Sequence, residues 1–233
     1  MITDTHELQA LLGTRKDPIG IAFRDGPPAG IPHRAAAPAS CAYWRAAEDG
    51  EVFYTEAADH EGCPIGAHTH GVQLSALKKA ELMGLVQTMV GLEYLKLEEV
   101  PRIPHRTEPL RVAVYGPLSS MPCEPDLVLV HGNARQLMLL AEAAQMAGAA
   151  GESPMMGRPT CAALPQALQT GKTAASFGCI GNRVYTGADD TEAYFAIPGP
   201  QLGAVEENLA VIVRANQELE KFHRGRAAAT PTA

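Results

Sequence analysis

The chain has 233 residues, 46% of them apolar, enough for one large globular domain or two small ones. Against 19 basic side chains it carries 26 acidic ones, and the net charge of -7 leaves no basic footprint for nucleic acid. No apolar run approaches the roughly 20 residues that cross a bilayer, and the opening MITDTHELQALLG lacks the charged and apolar segments of a signal peptide. A cytoplasmic protein with reduced thiols and no membrane partner is therefore expected, and the odd number of cysteines, five, argues against a complete disulfide framework.

Residues 4–13 read as a short helix capped by Asp4 or Thr5, with Leu8, Leu11 and Leu12 on one face and Gly13 ending it. Ile19 to Phe23 is a short apolar run of the kind that forms a buried strand. Residues 25–39, rich in Pro, Gly and Ala, read as a loop, mobile if nothing covers it. Cys41 opens an alanine-rich helix that ends at the Asp49-Gly50 turn, and a strand follows over Glu51 to Glu56. Next comes ADHEGCPIGAHTHGVQL, which holds His60, Cys63, His68 and His70. Residues 75–91 predict an amphipathic helix with Ser75 as cap and Leu77, Leu82, Leu85, Val86 and Met89 turned inward.

Three prolines make residues 93–110 extended, and Arg111 to Leu118 predicts a strand. A loop with Cys123 leads to Asp126 to Asn133, a buried strand running into the largely apolar helix ARQLMLLAEAAQMAG, which is expected to be buried on more than one side. Residues 148–160 read as a flexible connection. A second Cys-Ala helix starts at Cys161 with Pro165 in its first turn. Then come the strand AASFGC, a turn IGNRVYTGADD and a strand over Glu192 to Pro198. The spacing of Leu202, Val205, Leu209, Ile212, Asn216, Leu219 and Phe222 predicts a long last helix. These elements predict a single α/β or α+β domain over residues 1–223, a mixed sheet covered by helices, with a disordered tail over 224–233.

Two stretches share a pattern: Cys41 to Gly66 and Cys161 to Arg183. Each begins Cys-Ala, runs through a helix to a Gly (Gly50, Gly171), enters a strand and closes on a second Cys followed by Gly (Cys63 and Gly66, Cys179 and Gly181). This predicts an internal duplication about a pseudo-two-fold axis that would bring Cys41, Cys63, Cys161 and Cys179 together. Four thiolates suit a [4Fe–4S] cluster or a structural zinc. The absence of any C-x2-C pair fits neither a ferredoxin run nor a zinc ribbon, and buried cysteines are often simple core residues. His68 and His70, an H-x-H pair that would point one way on a strand, offer a transition-metal or haem site, or are plain loop residues. His131, Gly132 and Asn133 stand where a strand passes to a helix, where an anion could sit, or where Asn133 is a simple cap. Arg158, Asn182 and Arg183 are candidates for an anionic ligand. There is no nucleophile elbow, Walker loop, GxGxxG or HExxH.

GRPTCAALPQALQTGKTAASFGCIGNRVYTG with AYFAIPG downstream, DLVLVHGNARQLMLLAEAA, CAYWRAAEDGEVFYTE and the CPIGA turn together resemble the ArCR family of uncharacterised proteins, DUF169, from about Ile19 to His223. The resemblance implies cysteines at the positions of Cys41, Cys63, Cys161 and Cys179, with no counterpart for Cys123. It also implies Ala and Leu-Gly after Cys63, where this chain has His68-Thr69-His70-Gly71. It brings no activity.

The expectation is a cytoplasmic protein holding a metal centre, an iron–sulfur cluster first and zinc, haem or no cofactor as alternatives, through those four cysteines. Its role would be redox or small-molecule chemistry, with Lewis-acid action if one iron keeps an open position. His68, His70, His131, Asn133, Arg158, Asn182 and Arg183 would meet a small-molecule ligand or support the centre. One alternative is a metal-free enzyme or binding protein for an anionic metabolite with Cys179 or Cys63 as nucleophile. Another is a non-catalytic accessory protein. The apolar last helix and the alanine-rich helices permit a homodimer.

Overall fold

A computed structural model describes residues 6–151 and 159–229. Its centre is one six-stranded sheet in the order β2-β3-β1-β4-β6-β5, where β1 is Ile19–Arg24, β2 Phe53–Glu56, β3 Val112–Pro117, β4 Leu127–Asn133, β5 Ala174–Ser176 and β6 Glu192–Pro198. Helices cover the sheet as expected, and every ladder between these strands is antiparallel. The order reads the same from either edge when β1, β2 and β3 are matched with β4, β5 and β6. The midline falls between β1 and β4, where Ile19 pairs with Leu129.

Alternation along the strands makes two apolar layers. Ile21, Tyr115, Leu129 and Tyr194 point to one face and pack under α2 (Ala42–Glu48), α3 (Pro64–Thr69) and α6 (Ala163–Thr170). Alanines on these helices (Ala46, Ala47, Ala67, Ala167) are fully or nearly fully buried, so the backbones approach the strands closely. Val128, Val130, Phe195 and Ile197 point the other way, onto α1 (His6–Leu12), α5 (Ala134–Met146) and α8 (Leu202–Ala229). Each of the two Cys-Ala helices ends before a glycine with positive φ, Gly50 (+101°) and Gly171 (+62°), the left-handed conformation that glycine adopts without a Cβ clash.

Several local expectations change. Residues 180–186, read as a turn, form helix α7 (Ile180–Thr186), because the Cys179 side chain caps its start and Gly187 its end. Helix α4 (Ala76–Gly91) has the predicted Ser75 cap, but only Val86 is buried and Leu77 is 69% exposed. The loop over 25–39 is covered and held: Arg34 N donates to Tyr54 O, and Ala37 N to the Tyr43 hydroxyl. Helix α5 buries one face and leaves Met138 and Met146 exposed. Helix α8 runs past His223 to Ala229, and residues 230–233 of the expected tail lie outside the described residues. The caps Asp4 and Thr5 and most of the 148–160 connection lie outside the described residues. Among the described residues no helix is long and apolar enough to cross a membrane.

Candidate metal centre

The four matched cysteines stand at helix starts on one face of the sheet. Cys41 precedes α2, Cys63 caps α3, Cys161 lies in the 3-10 turn leading into α6, and Cys179 caps α7. The caps of α3 and α7 repeat each other. Gly66 N donates to Cys63 Sγ at 3.4 Å, and Asn182 N donates to Cys179 Sγ at 3.4 Å. Each sulfur thus accepts a backbone N–H at a helix start.

The elements cross the midline. Helix α2 packs on α7, and α3 packs on the turn that carries Cys161. Thr69 Oγ1, at the end of α3, lies 3.0 Å from Cys161 Sγ. Cys179 N donates to Thr160 Oγ1 at 2.5 Å, so the residue before Cys161 also fixes the backbone of Cys179. Ser40 precedes Cys41 as Thr160 precedes Cys161. Its hydroxyl bonds His60 Nδ1 at 3.0 Å and stands 3.0 Å from where a Cβ on Gly66 would be, so residue 66 has almost no room for a side chain. The paired Ser-Cys-Ala and Thr-Cys-Ala segments were the sequence signal for these two supporting hydroxyls.

Two of the thiols, Cys41 and Cys161, respond to burial and to the others. Burial pushes the Cys41 thiol up to about 12, and the Cys179 and Cys63 thiols push it further the same way. Burial also raises Cys161 strongly, and Cys41, Cys63 and Cys179 all add to that. Among the described residues, no three His, Cys, Asp or Glu side chains are arranged around a single point as one metal ion requires. The remaining cysteine, Cys123, lies on the opposite face, 3.4 Å from Arg24 Nη2 and against Ala22, Val112 and Val114.

Asn182 sits among the thiols. It is 1% exposed, and its side chain lies beside the Cys41 thiol and the Tyr194 hydroxyl. The Asn182 amide is in reach of that thiol and that hydroxyl without ideal hydrogen-bond geometry, and among the described residues Trp44 Nε1, one turn beyond Cys41, is buried without a partner. A buried polar atom left without a partner costs about 1–3 kcal/mol.

The histidines separate. His68 and His70 lie on α3 and at its end, not on a strand, and they face different neighbours. His68 stacks on His105 at 4.8 Å, while His70 lies 5.3 Å from His60. Two axial ligands for one haem therefore do not form from this pair. Burial first, then the nearby Arg106 charge, push His70 down to about 4. Its Nδ1 is 2.8 Å from Gly66 O, so a neutral ring donates there and leaves a bare lone pair on the buried, unpartnered Nε2. His60, also held neutral by burial, has both nitrogens occupied, by Thr55 and Ser40.

His131 is not at an open anion site. Its ring stacks on Tyr194 at 4.5 Å, with Nδ1 3.0 Å from Glu48 Oε1 and Nε2 3.2 Å from Glu192 Oε2. Asn133 caps α5 in reciprocal bonds with Gln136, and the antiparallel sheet offers no crevice of carboxyl ends there. Arg183 braces the loops around α7 by donating to Phe177 O, Asp189 O and Glu192 O, so its donors face the backbone. Arg158 lies outside the described residues.

Fold and site define an antiparallel sheet layered by helices, with four cysteines gathered where its two halves meet. Residues 7–208 match the DUF169 family, described as uncharacterised ArCR, and the chain belongs to that family. No curated protein and no solved structure matches it.

Proposed function

We propose that Cys41, Cys63, Cys161 and Cys179 bind an iron–sulfur cluster, and that the protein is a cytoplasmic redox protein acting on, or for, a small molecule. The observation that carries this reading is the placement of the four cysteines at helix starts on one face of the sheet, with Cys41 and Cys161 buried there as thiols at a cost. A metal centre reverses that cost, because its positive charge binds the thiolates and releases their protons. A tetrahedral zinc would need all four sulfurs about 2.3 Å from one point, which the arrangement does not offer. A cluster binds each thiolate to a different iron and so accepts wider spacing. When bound it would supply one-electron transfer, since four cysteine ligands leave no iron with an open position.

The chain's own residues tune such a centre. Gly66 N, Asn182 N and the Thr69 hydroxyl donate toward sulfur, and the buried Asn182 amide and Trp44 Nε1 are further donors in reach of the region. Half-buried Cys63 and Cys179 give the side that approaches solvent. A homodimer belongs to the same proposal, supported by apolar side chains left exposed on α4 and α8, among them Leu77, Leu219 and Phe222. Sedimentation at several concentrations tests it. For the centre, the test is the absorption spectrum of anaerobically prepared protein. A broad visible charge-transfer band, lost in Cys179→Ala, is the expected result; a colourless protein after anaerobic reconstitution with iron and sulfide contradicts it.

The metal-free reading keeps one specific support: Cys63 and Cys179 sit at helix starts and are half-buried. Ligand-protected alkylation of one of them in protein that never takes up iron would favour it.

A further inference from the structure

A cleft of about 690 Å³ opens beside the end of β1, lined by residues of that strand, of the segment before β3 and of the end of α6. Its inner wall carries Arg106. The guanidinium stacks over the Phe23 ring, 4.2 Å from its centroid, and the side chain is only 12% exposed. Nη1 is buried with no hydrogen-bond partner. Among the described residues the carboxylate in contact is Glu108, 3.3 Å from Nη2 and itself 85% exposed, so it neutralises the cation loosely. Asp126 also lines the cleft, but it is bound by Arg24 Nη1 at 2.9 Å and by Phe23 N at 2.6 Å. At the rim, Arg111 lies 3.7 Å from Asp25, both largely exposed.

The fold holds Arg106 in place. Its backbone N donates to Thr69 O at 3.0 Å, and Gln169 Nε2 donates to His105 O at 2.7 Å. Gly71, at φ +80°, lets the segment lie close: a Cβ there would stand 2.6 Å from Glu108 O and 3.1 Å from Arg106 Cβ. A guanidinium drawn out of water without full neutralisation is unfavourable, and its planar edge matches a carboxylate or phosphoryl group in two parallel hydrogen bonds. Stacking on Phe23 covers a face of the guanidinium, and a ligand would reach its edge at Nη2 by displacing the exposed Glu108 carboxylate.

We propose that this cleft binds a small organic anion, its carboxylate or phosphoryl oxygens docked on Arg106, its carbon skeleton against Phe23 and Leu168, with Arg111 adding charge at the rim. The site contains no cysteine and stands apart from the reading of the metal centre.

The test is calorimetric titration at constant ionic strength with succinate, phenyl phosphate and, as control, chloride. Saturable binding of succinate or phenyl phosphate but not chloride is expected, at least tenfold weaker in Arg106→Gln and unchanged in Cys179→Ala. Glu108→Gln, which removes the competing carboxylate, should tighten binding severalfold, and Arg111→Gln should weaken it severalfold. Succinate preferred over phenyl phosphate would assign a carboxylate ligand, and the reverse order a phosphoryl one. Two results overturn the proposal: no saturable binding of either anion, or equal binding in wild type and Arg106→Gln. If Arg106→Gln does not fold, unchanged affinity in both Glu108→Gln and Arg111→Gln overturns it equally.

Discussion

Thr69 and Cys161 join the two halves of the protein through one hydroxyl hydrogen that has two acceptors in reach, Gly66 O at 2.9 Å and Cys161 Sγ at 3.0 Å. A hydroxyl has a single hydrogen to give. With Cys161 as a thiol, the hydrogen can stay on Gly66 O while the S–H donates to Thr69. With Cys161 as a thiolate it turns to the sulfur. The pair is therefore suited to either state of the cysteine.

Thr69→Val removes that hydrogen bond at nearly constant volume. In the metal-free protein it is expected to cost about 1 kcal/mol in urea unfolding. In the reconstituted protein it lowers the reduction potential, because a donor to sulfur favours the more negative, reduced centre. Protein-film voltammetry reads the sign, and an unchanged or raised potential contradicts it.

His70 makes stability fall in acid. Its folded value, about 4, is depressed from 6.5, so its contribution is present above 6.5 and disappears as pH falls through that window. The full effect is about 3 kcal/mol at 1.36 kcal/mol per unit. Cys41 acts at the other end. Its folded value, raised from 9.0 to about 12, gives stability that is present below 9.0 and lost as pH rises toward 12. Urea unfolding of metal-free protein across pH should show both flanks, the acid one flattened in His70→Asn and the alkaline one in Cys41→Ala. A flat profile from pH 4 to 6.5 in wild type contradicts the burial of His70.

The buried pair of Glu48 and His131 should matter to folding. The Glu48 side chain is 3% exposed and 3.0 Å from His131 Nδ1. His131→Ala leaves the buried Glu48 side chain without its imidazole neighbour and should cost about 1–3 kcal/mol. Adding Glu48→Gln should recover part of the loss. Additive losses in the double variant would contradict the pairing.

Gly62 precedes Cys63 and has no space for a side chain, because a Cβ would run into the carbonyl oxygen of Ala37. Gly62→Ala should therefore destabilise by about 1–3 kcal/mol and reduce iron uptake by displacing Cys63. Wild-type stability and uptake in this variant would show that the 35–39 loop moves aside freely.

Strand positions and most helices were legible, because short apolar runs between Gly and Pro and a clear helical period mark them. The repeat of Cys-Ala with a later Cys and Gly singled out four cysteines, and the fold sets each of them at a helix start. The edges were less so. Helix α7 hid as a turn, since its cap is a cysteine rather than Ser, Thr, Asp or Asn. Helix α4 has apolar residues spread around it, so its spacing did not reveal that only Val86 meets the core. Arg106 escaped notice because a single arginine between prolines gives no pattern; its stacking on Phe23 joins segments far apart in the chain. His131 and Arg183 looked like ligand residues, yet distant partners in the fold (Glu48 for one, backbone carbonyls for the other) occupy them.

Iron and sulfide per chain after anaerobic reconstitution, measured for wild type and for alanine variants of all five cysteines, tests the central claim most directly. A four-cysteine cluster predicts about four irons and four sulfides in wild type. It also predicts the same content in Cys123→Ala, and a marked loss in each of Cys41→Ala, Cys63→Ala, Cys161→Ala and Cys179→Ala. Wild type without iron, or iron retained unchanged in those four variants, would contradict it.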